Sequence, residues 1–221
     1  GEKMANRLSN ATLSQLPASV LRPTYDRAKV TPGILHFGVG AFHRSHQALT
    51  IDRLLEKGLA NDWGIVGVGL LANDFKMRDA LIPQDCLYTL ITKHADGKQD
   101  FQVIGSIIDY LFAPDSPAKV IEKLIDPAIR IVSLTITEGG YSFDRATGEF
   151  DPNTPGVKED VKDSTKPVSA FGFIYEGLKK RKALGIPAFT VQSCDNIQGN
   201  GDVAKKMMVH LRKRRGPNYE S

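Results

Sequence analysis

The stretch Ile34-Leu35-His36-Phe37-Gly38-Val39-Gly40-Ala41-Phe42-His43-Arg44-Ser45-His46-Gln47 is compatible with few folds. A short apolar run ends in two glycines one residue apart, and a polar, helix-forming segment follows at once. It therefore reads as a strand, a tight turn and the start of a helix. Glycines let the backbone approach a ligand closely, and a helix N-terminus offers free N–H groups, which is how a dinucleotide pyrophosphate is held. The common spacing is G-x-G-x-x-G. Here the third position is His43, so the flanking pattern must carry part of the argument.

That pattern is present. From Ser45 to Lys57, Ala48, Leu49, Ile51, Leu54 and Leu55 fall at helical spacing, and Gly58 ends the helix. Trp63 to Leu70 reads as a second buried strand, completing a βαβ unit. Asp74 follows, where a dinucleotide fold places the carboxylate that binds the adenosine ribose. The gap from Gly40 exceeds the usual ~20 residues, with the excess assigned to the loop at 58–62. Asp74 has an equal second reading, as N-cap of the helix carrying Phe75, Met77, Ala80 and Leu81.

Downstream, Leu87–Thr92 and Phe101–Ile107 flank Asp96-Gly97, a hairpin turn signal. The expectation is an antiparallel insertion, or extra edge strands, on a parallel sheet. Ser116 or Pro117 opens a helix with Val120, Ile121, Leu124 and Ile125, and Ile129–Ile136 forms another buried strand. That strand leads into Thr137-Glu138-Gly139-Gly140-Tyr141 at the carboxyl edge, where open α/β sheets bind ligands. Glu138 has two readings, a ligand or proton-path carboxylate and an ordinary loop carboxylate. A helix over 168–184 ends at Gly185, a strand covers 187–193, and Ser193-Cys194-Asp195-Asn196 begins a loop at the same edge. Phe37, Trp63 and Phe101 read as core, and His36 as a core histidine with its hydrogen bonds satisfied. His43 and His46 divide between phosphate contact and a capping or surface role. The fold class is α/β, a Rossmann-like, doubly wound and mostly parallel sheet with an antiparallel hairpin insertion. The domain plan is an extension over 1–32, a dinucleotide-binding domain over 33–201, and the start of a further helical region with a basic tail over 202–221.

Composition narrows the partners. No apolar run approaches the ~18–20 residues of a membrane span, and the N-terminus lacks a secretory pattern. Cys86 and Cys194 are far apart with no metal-ligand spacing, so they read as reduced thiols in a cytoplasmic protein, and no metal site is expected. Lys205, Lys206, Arg212, Lys213, Arg214 and Arg215, against Asp202 and Glu220, carry the whole formal charge of +4. Without interleaved aromatics this basic tail reads as a solvated face. Nucleic acid is not an expected partner, although binding through the tail stands as an alternative function.

Three blocks, His36–Gln47, Ile131–Tyr141 and Ser193–Asn196, occur in order and together resemble the polyol-specific long-chain dehydrogenases over about residues 31–208. That family carries a non-glycine residue at the third position of its glycine motif, as His43 is here. The resemblance implies NAD-dependent, metal-free interconversion of a polyol and its ketose, D-mannitol and D-fructose. It places Gly38, Gly40, Ala41 and Phe42 around the pyrophosphate and Asp74 at the adenosine ribose. It implies that Glu138 lies near the proton path and that the Asn196 amide holds the substrate oxygen. Family members often carry Glu before the aspartate. Asn73 stands there instead, which removes one repulsive carboxylate, so NAD is expected from Asp74 with some NADP use left open. The family's K-x-x-x-x-N-x-x-H motif, which supplies the general-base lysine, is absent from these 221 residues, as is its V-D-R segment. The chain thus looks like a cofactor domain with most of its substrate domain missing. The expectation is NAD(H) binding with weak or no turnover unaided, and self-association through the apolar surface left uncovered. A non-catalytic dinucleotide-binding module is the competing function.

Overall fold

A computed structural model describes residues 7–135, 155–163 and 165–194. Strands β1 (Pro32–Phe37), β2 (Gly64–Gly69), β5 (Ile107–Phe112), β6 (Ile131–Leu134) and β7 (Thr190–Ser193) form one sheet in the order β5-β2-β1-β6-β7, parallel throughout. Leu35 sits opposite Val66 of β2 on one side and Val132 of β6 on the other. The chain builds outward from β1 through β2 to β5, then returns to lay β6 and β7 on the far side. The strand order therefore reverses between β1 and β6, the position at which open α/β sheets bind ligands. Strands β3 (Tyr88–Lys93) and β4 (Gln99–Ile104) make a separate antiparallel pair, turning through Gly97 at φ +85°.

Every residue of β2 is buried, as a strand covered on both faces requires. On one face Leu35, Phe37, Val132 and Leu134 pack with Val120 and Leu124 of α4 (Pro117–Leu124) and with Phe171, Phe173 and Ile174 of α6 (Ala170–Leu184). On the other, Ile34, Ile65 and Ile107 pack with Ala48 of α2 (Gln47–Glu56), Leu81 of α3 (Phe75–Leu81) and Ile104 of the hairpin. Pro117 occupies the first turn of α4, where its missing N–H costs nothing. Ser169 caps α6 by accepting from the Gly172 N–H, and Gly185 at φ +71° ends it. Another short helix, α5 (Pro155–Lys162), precedes α6.

Three local expectations change. The helix expected over 45–57 is α2, starting at Gln47, and a separate short helix, α1 (Ala41–Ser45), precedes it and breaks off at His46. Ser45 Oγ donates to the Ala41 carbonyl at 3.0 Å and His46 Nδ1 to the Phe42 carbonyl at 2.7 Å, so side chains take the acceptors that would continue the ladder. The strand expected over Phe101–Ile107 stops at Ile104, and Ile107 begins a separate strand. The chain turns at Gly105-Ser106, and β5 joins the parallel sheet as its edge. Phe101 is 39% exposed, opposite exposed Ile91 on the hairpin, whereas Phe37 is fully buried and Trp63 lies half-buried beneath the Arg130 guanidinium at 3.8 Å.

Residues 7–31 lie along the hairpin and the amino ends of the strands. Leu21 exchanges backbone hydrogen bonds with Phe101 and Val103. No described helix is long and apolar enough to cross a membrane. Neither Cys86 nor Cys194 is in a disulfide, and burial pushes the Cys86 thiol up to about 12.

Candidate functional site

The turn that leaves β1 lies where the strand order reverses. Gly38 adopts φ +92°, and a Cβ there would lie 2.3 Å from the Thr135 carbonyl oxygen. Only glycine fits. Its N–H donates to the Val68 carbonyl at 3.0 Å, fastening the turn to β2. Gly40 is different: its φ of −110° is open to any residue, and a Cβ would meet nothing within 4 Å. The first glycine is demanded by the protein's own backbone, while the second faces open space.

Gly40 begins α1, and no side chain caps it. The N–H groups of Ala41, Phe42 and His43 have no acceptor among the described residues. Ala41 and Phe42 are exposed, and the Phe42 ring stacks on His46 at 3.9 Å. Because α1 spans five residues, its dipole is short, and the clustered N–H groups are the feature that suits an anion. Gly38, Gly40, Ala41 and Phe42 thus come together at the reversal of strand order.

Asp74 follows β2 at the same edge of the sheet. Its carboxylate bends back to accept from the Leu71 N–H at 2.9 Å, so it holds the preceding turn and none of the α3 amides. It stands at the N-cap position of α3 without capping it. One oxygen is engaged, the side chain is half-buried, and Leu71 and Asn73 beside it are exposed. Glu138 and Asn196 lie outside the described residues.

Beneath the turn lies a polar layer built by residues far apart in sequence. His36 is fully buried, with Nδ1 2.6 Å from Ser133 Oγ and Nε2 2.6 Å from Thr135 Oγ1. Its ring stacks on His43 at 3.6 Å, and His43 Nε2 lies 2.7 Å from Gln47 Oε1. Burial holds His36 well below the usual imidazole range and lowers His43 to about 4. Both rings are neutral at pH 7. The expectation of a satisfied core histidine at His36 is met. The partners Ser133 and Thr135 were not readable, because they reach His36 only when β6 lies beside β1.

A glycine turn at the strand-order reversal, open in front of Gly40 and rimmed by N–H groups with no acceptor among the described residues, with a carboxylate after the second strand, defines the class: a dinucleotide-binding Rossmann α/β domain. The residues fit a pyrophosphate because the place a side chain would fill is empty. The family model for the mannitol dehydrogenase Rossmann domain matches residues 32–220, and the chain belongs to that family.

The relatives sharpen this. The chain is 46% identical over 212 residues to a polyol:NADP oxidoreductase of Gluconobacter oxydans (strain 621H), covering 95% of this chain and 43% of that one. It is also 46% identical over 212 residues to a mannitol 2-dehydrogenase of Pyrenophora tritici-repentis (strain Pt-1C-BFP), covering 96% and 37%. Among solved structures, the Pseudomonas fluorescens mannitol 2-dehydrogenase ternary complex with NAD and D-mannitol superimposes with a TM-score of 0.92 at 45% identity, covering 97% of this chain and 44% of that chain. A substrate-free D-sorbitol dehydrogenase gives a TM-score of 0.88 at 45% identity, with coverages of 96% and 44%. The chain thus spans about two fifths of the length of these relatives.

Proposed function

We propose that this chain is the NAD(H)-binding part of a polyol dehydrogenase that interconverts D-mannitol and D-fructose. The observation that carries this reading is the difference between the two glycines: Gly38 is required by contact with Thr135, while Gly40 is open to a ligand. In the reading, the amides of Ala41, Phe42 and His43 receive the pyrophosphate. Asp74 takes the adenosine ribose hydroxyls with the oxygen that Leu71 leaves open. A 2′-phosphate beside that carboxylate is repelled, so NAD is favoured over NADP. Exposed Asn73 adds no second negative charge there.

When bound, the nicotinamide accepts or returns a hydride. The chain's part is to hold and orient that ring and to manage the proton. Asn196 is assigned to steady the substrate oxygen as its charge changes, and Glu138 to the proton path. The lysine motif that would take the hydroxyl proton does not occur in these 221 residues, so turnover by this polypeptide alone is expected to be weak or nil.

NADH fluorescence titration tests the first half of the proposal. The wild-type chain is expected to bind NADH more tightly than NADPH. Gly40→Ala is expected to weaken binding about tenfold with unchanged stability, since the substitution strains nothing inside the protein. Gly38→Ala is expected to destabilise the fold itself. No NADH binding by the wild type overturns the reading. Steady-state mannitol oxidation tests the second half, where a turnover near the typical ~10 s⁻¹ would show the missing lysine to be dispensable. NADH binding that mannitol does not alter favours a non-catalytic dinucleotide module.

A further inference from the structure

The polar layer under the glycine turn has one self-consistent proton arrangement. Thr135 Oγ1 lies 2.6 Å from the Gly38 carbonyl oxygen, a distance that two oxygens tolerate only with a proton between them, so the Thr135 hydroxyl donates to Gly38. Its single proton spent, Thr135 must accept from His36, which fixes the His36 proton on Nε2. His36 Nδ1 is then an acceptor and takes the Ser133 hydroxyl proton at 2.6 Å. Ser133 in turn accepts from the Gln47 Nε2 amide at 3.2 Å, leaving Gln47 Oε1 to accept from His43 Nε2 at 2.7 Å. Turning the Gln47 amide round would set its oxygen against a hydroxyl whose proton is already used.

Four side chains from β1, α1, α2 and β6, with Thr135 just beyond β6 as the fifth, therefore form one directional chain that ends on the Gly38 carbonyl. Its head is His43 Nδ1, a buried acceptor with no donor among the described residues. Gly38 is the position that needs such a device. A glycine at positive φ rotates its peptide more easily than any other residue. If the Gly38–Val39 peptide turned over, a carbonyl would face the bound anion where the present arrangement does not place one. The Gly38 oxygen accepts from Thr135 and also from the Gly40 N–H at 2.9 Å, so both its lone pairs are engaged.

We propose that His36 and His43 are positioning residues of the dinucleotide turn: a stacked pair of neutral Nε2–H imidazoles whose hydrogen-bond chain through Gln47, Ser133 and Thr135 locks the Gly38 carbonyl and holds the turn ready for the pyrophosphate. The chain itself is read from geometry, while its purpose rests on the cofactor reading above. Burial, which depresses the basicity of both rings, keeps the pair uncharged. Neither histidine is required to touch the cofactor.

Imidazole ¹⁵N–¹H correlation spectra at pH 7 of the free 221-residue chain test the arrangement without any cofactor. Both rings are expected as pure Nε2–H tautomers. A protonated His36, or a His36 carrying its proton on Nδ1, overturns the chain. Ser133→Ala frees the Gln47 amide to turn, so the His43 tautomer is expected to become mixed although Ser133 does not touch His43. An unchanged His43 tautomer overturns the linkage.

NADH titration then tests the purpose. Thr135→Val is expected to weaken binding about tenfold and Thr135→Ser to restore it. If Thr135→Val does not fold, Ser133→Ala decides, with a several-fold loss expected. Unchanged affinity in the variant that folds overturns the positioning role. Wild-type chain that shows both tautomers but binds no NADH sinks the cofactor reading and leaves the hydrogen-bond chain standing.

Discussion

The two ends of the parallel sheet solve the same problem, buried polar groups, with opposite chemistry. At the carboxyl end, beneath the glycine turn, every side chain in the layer is neutral, and the protons are passed in one direction to a backbone carbonyl. At the amino end the groups are charged. Asp52 of α2, 1% exposed, accepts from Tyr25 Oη at 2.5 Å and from the Gly105 N–H at 2.9 Å. Arg27 donates to the carbonyls of Gly105, Ile107 and Asp85 at 2.8–3.0 Å. The neutral end adds no fixed charge beneath the turn where an anion is expected. The charged end lies away from that turn and uses its charges as clamps, tying residues 7–31 to the start of β5.

The largest break in this comparison is expected from Arg27→Met. Three carbonyls lose a charged donor that no neighbour replaces, and about 4 kcal/mol of stability is expected to go with it. Urea unfolding measures the loss, and hydrogen exchange should speed first in the hairpin, which residues 7–31 cover. Arg27→Lys is not expected to rescue, because a single ammonium cannot reach three separated carbonyls. A loss below about 1 kcal/mol would show that the clamp is ornamental.

Much of the frame was legible because its signals are local. The two glycines after an apolar run, Gly58 and Gly185 past helical periods, and Asp96-Gly97 between two strands each state a backbone requirement that no partner has to supply. What was illegible depends on partners distant in sequence. Nothing near Gly105-Ser106 separates β4 from β5. The turn is made by Asp52 holding the Gly105 N–H and by Ser106 donating to the Ala48 carbonyl at 2.6 Å. His36 and Ser133 are 97 residues apart and meet only once β6 pairs with β1. The break at His46 was hidden because helical spacing reports burial, whereas the break comes from side chains competing for carbonyls. Asp74 had two readings, ribose ligand and helix cap; its carboxylate holds the Leu71 amide and caps nothing in α3, which leaves the ribose reading as the one proposed above.

Acid sharpens the comparison next, because the two ends respond with opposite sign. Folded His43 has its pKa lowered by burial to about 4, against 6.5 for the free side chain. Between these values the unfolded chain binds a proton that the folded one refuses. The stabilisation is whole above pH 6.5 and is lost as pH falls toward 4, on the order of 3 kcal/mol for His43, with His36 acting in the same direction. Burial raises Asp52 instead, so just above pH 3.8 the folded chain holds a proton that the unfolded one has released, and acid there adds stability. Denaturant midpoints measured from pH 8 to 4 should fall, and His43→Gln should flatten much of the decline. An equal decline in that variant would show that the histidine layer does not set the acid limb.

The smallest expected effect is the most discriminating. Both donors to Asp52, Tyr25 Oη and the Gly105 N–H, converge on the same oxygen, Oδ1. Asp52→Asn keeps an oxygen in that place, and a neutral amide is easier to bury than a carboxylate, offsetting the attraction to Arg27 that is lost. The change at pH 7 is expected to be under about 1 kcal/mol, whereas Asp52→Ala strands two buried donors and should cost about 3 kcal/mol. The two substitutions separate charge from hydrogen bonding at one position. Asp52→Asn should also steepen the acid limb, because the proton that Asp52 gains no longer offsets those the histidines resist. If Asn costs as much as Ala, the carboxylate's charge toward Arg27 holds the amino end together, and the two ends differ in electrostatics as well as in connectivity. If Asn is nearly silent, the amino end is also governed by donor and acceptor matching, and its charges are secondary to the same rule that orders the carboxyl end.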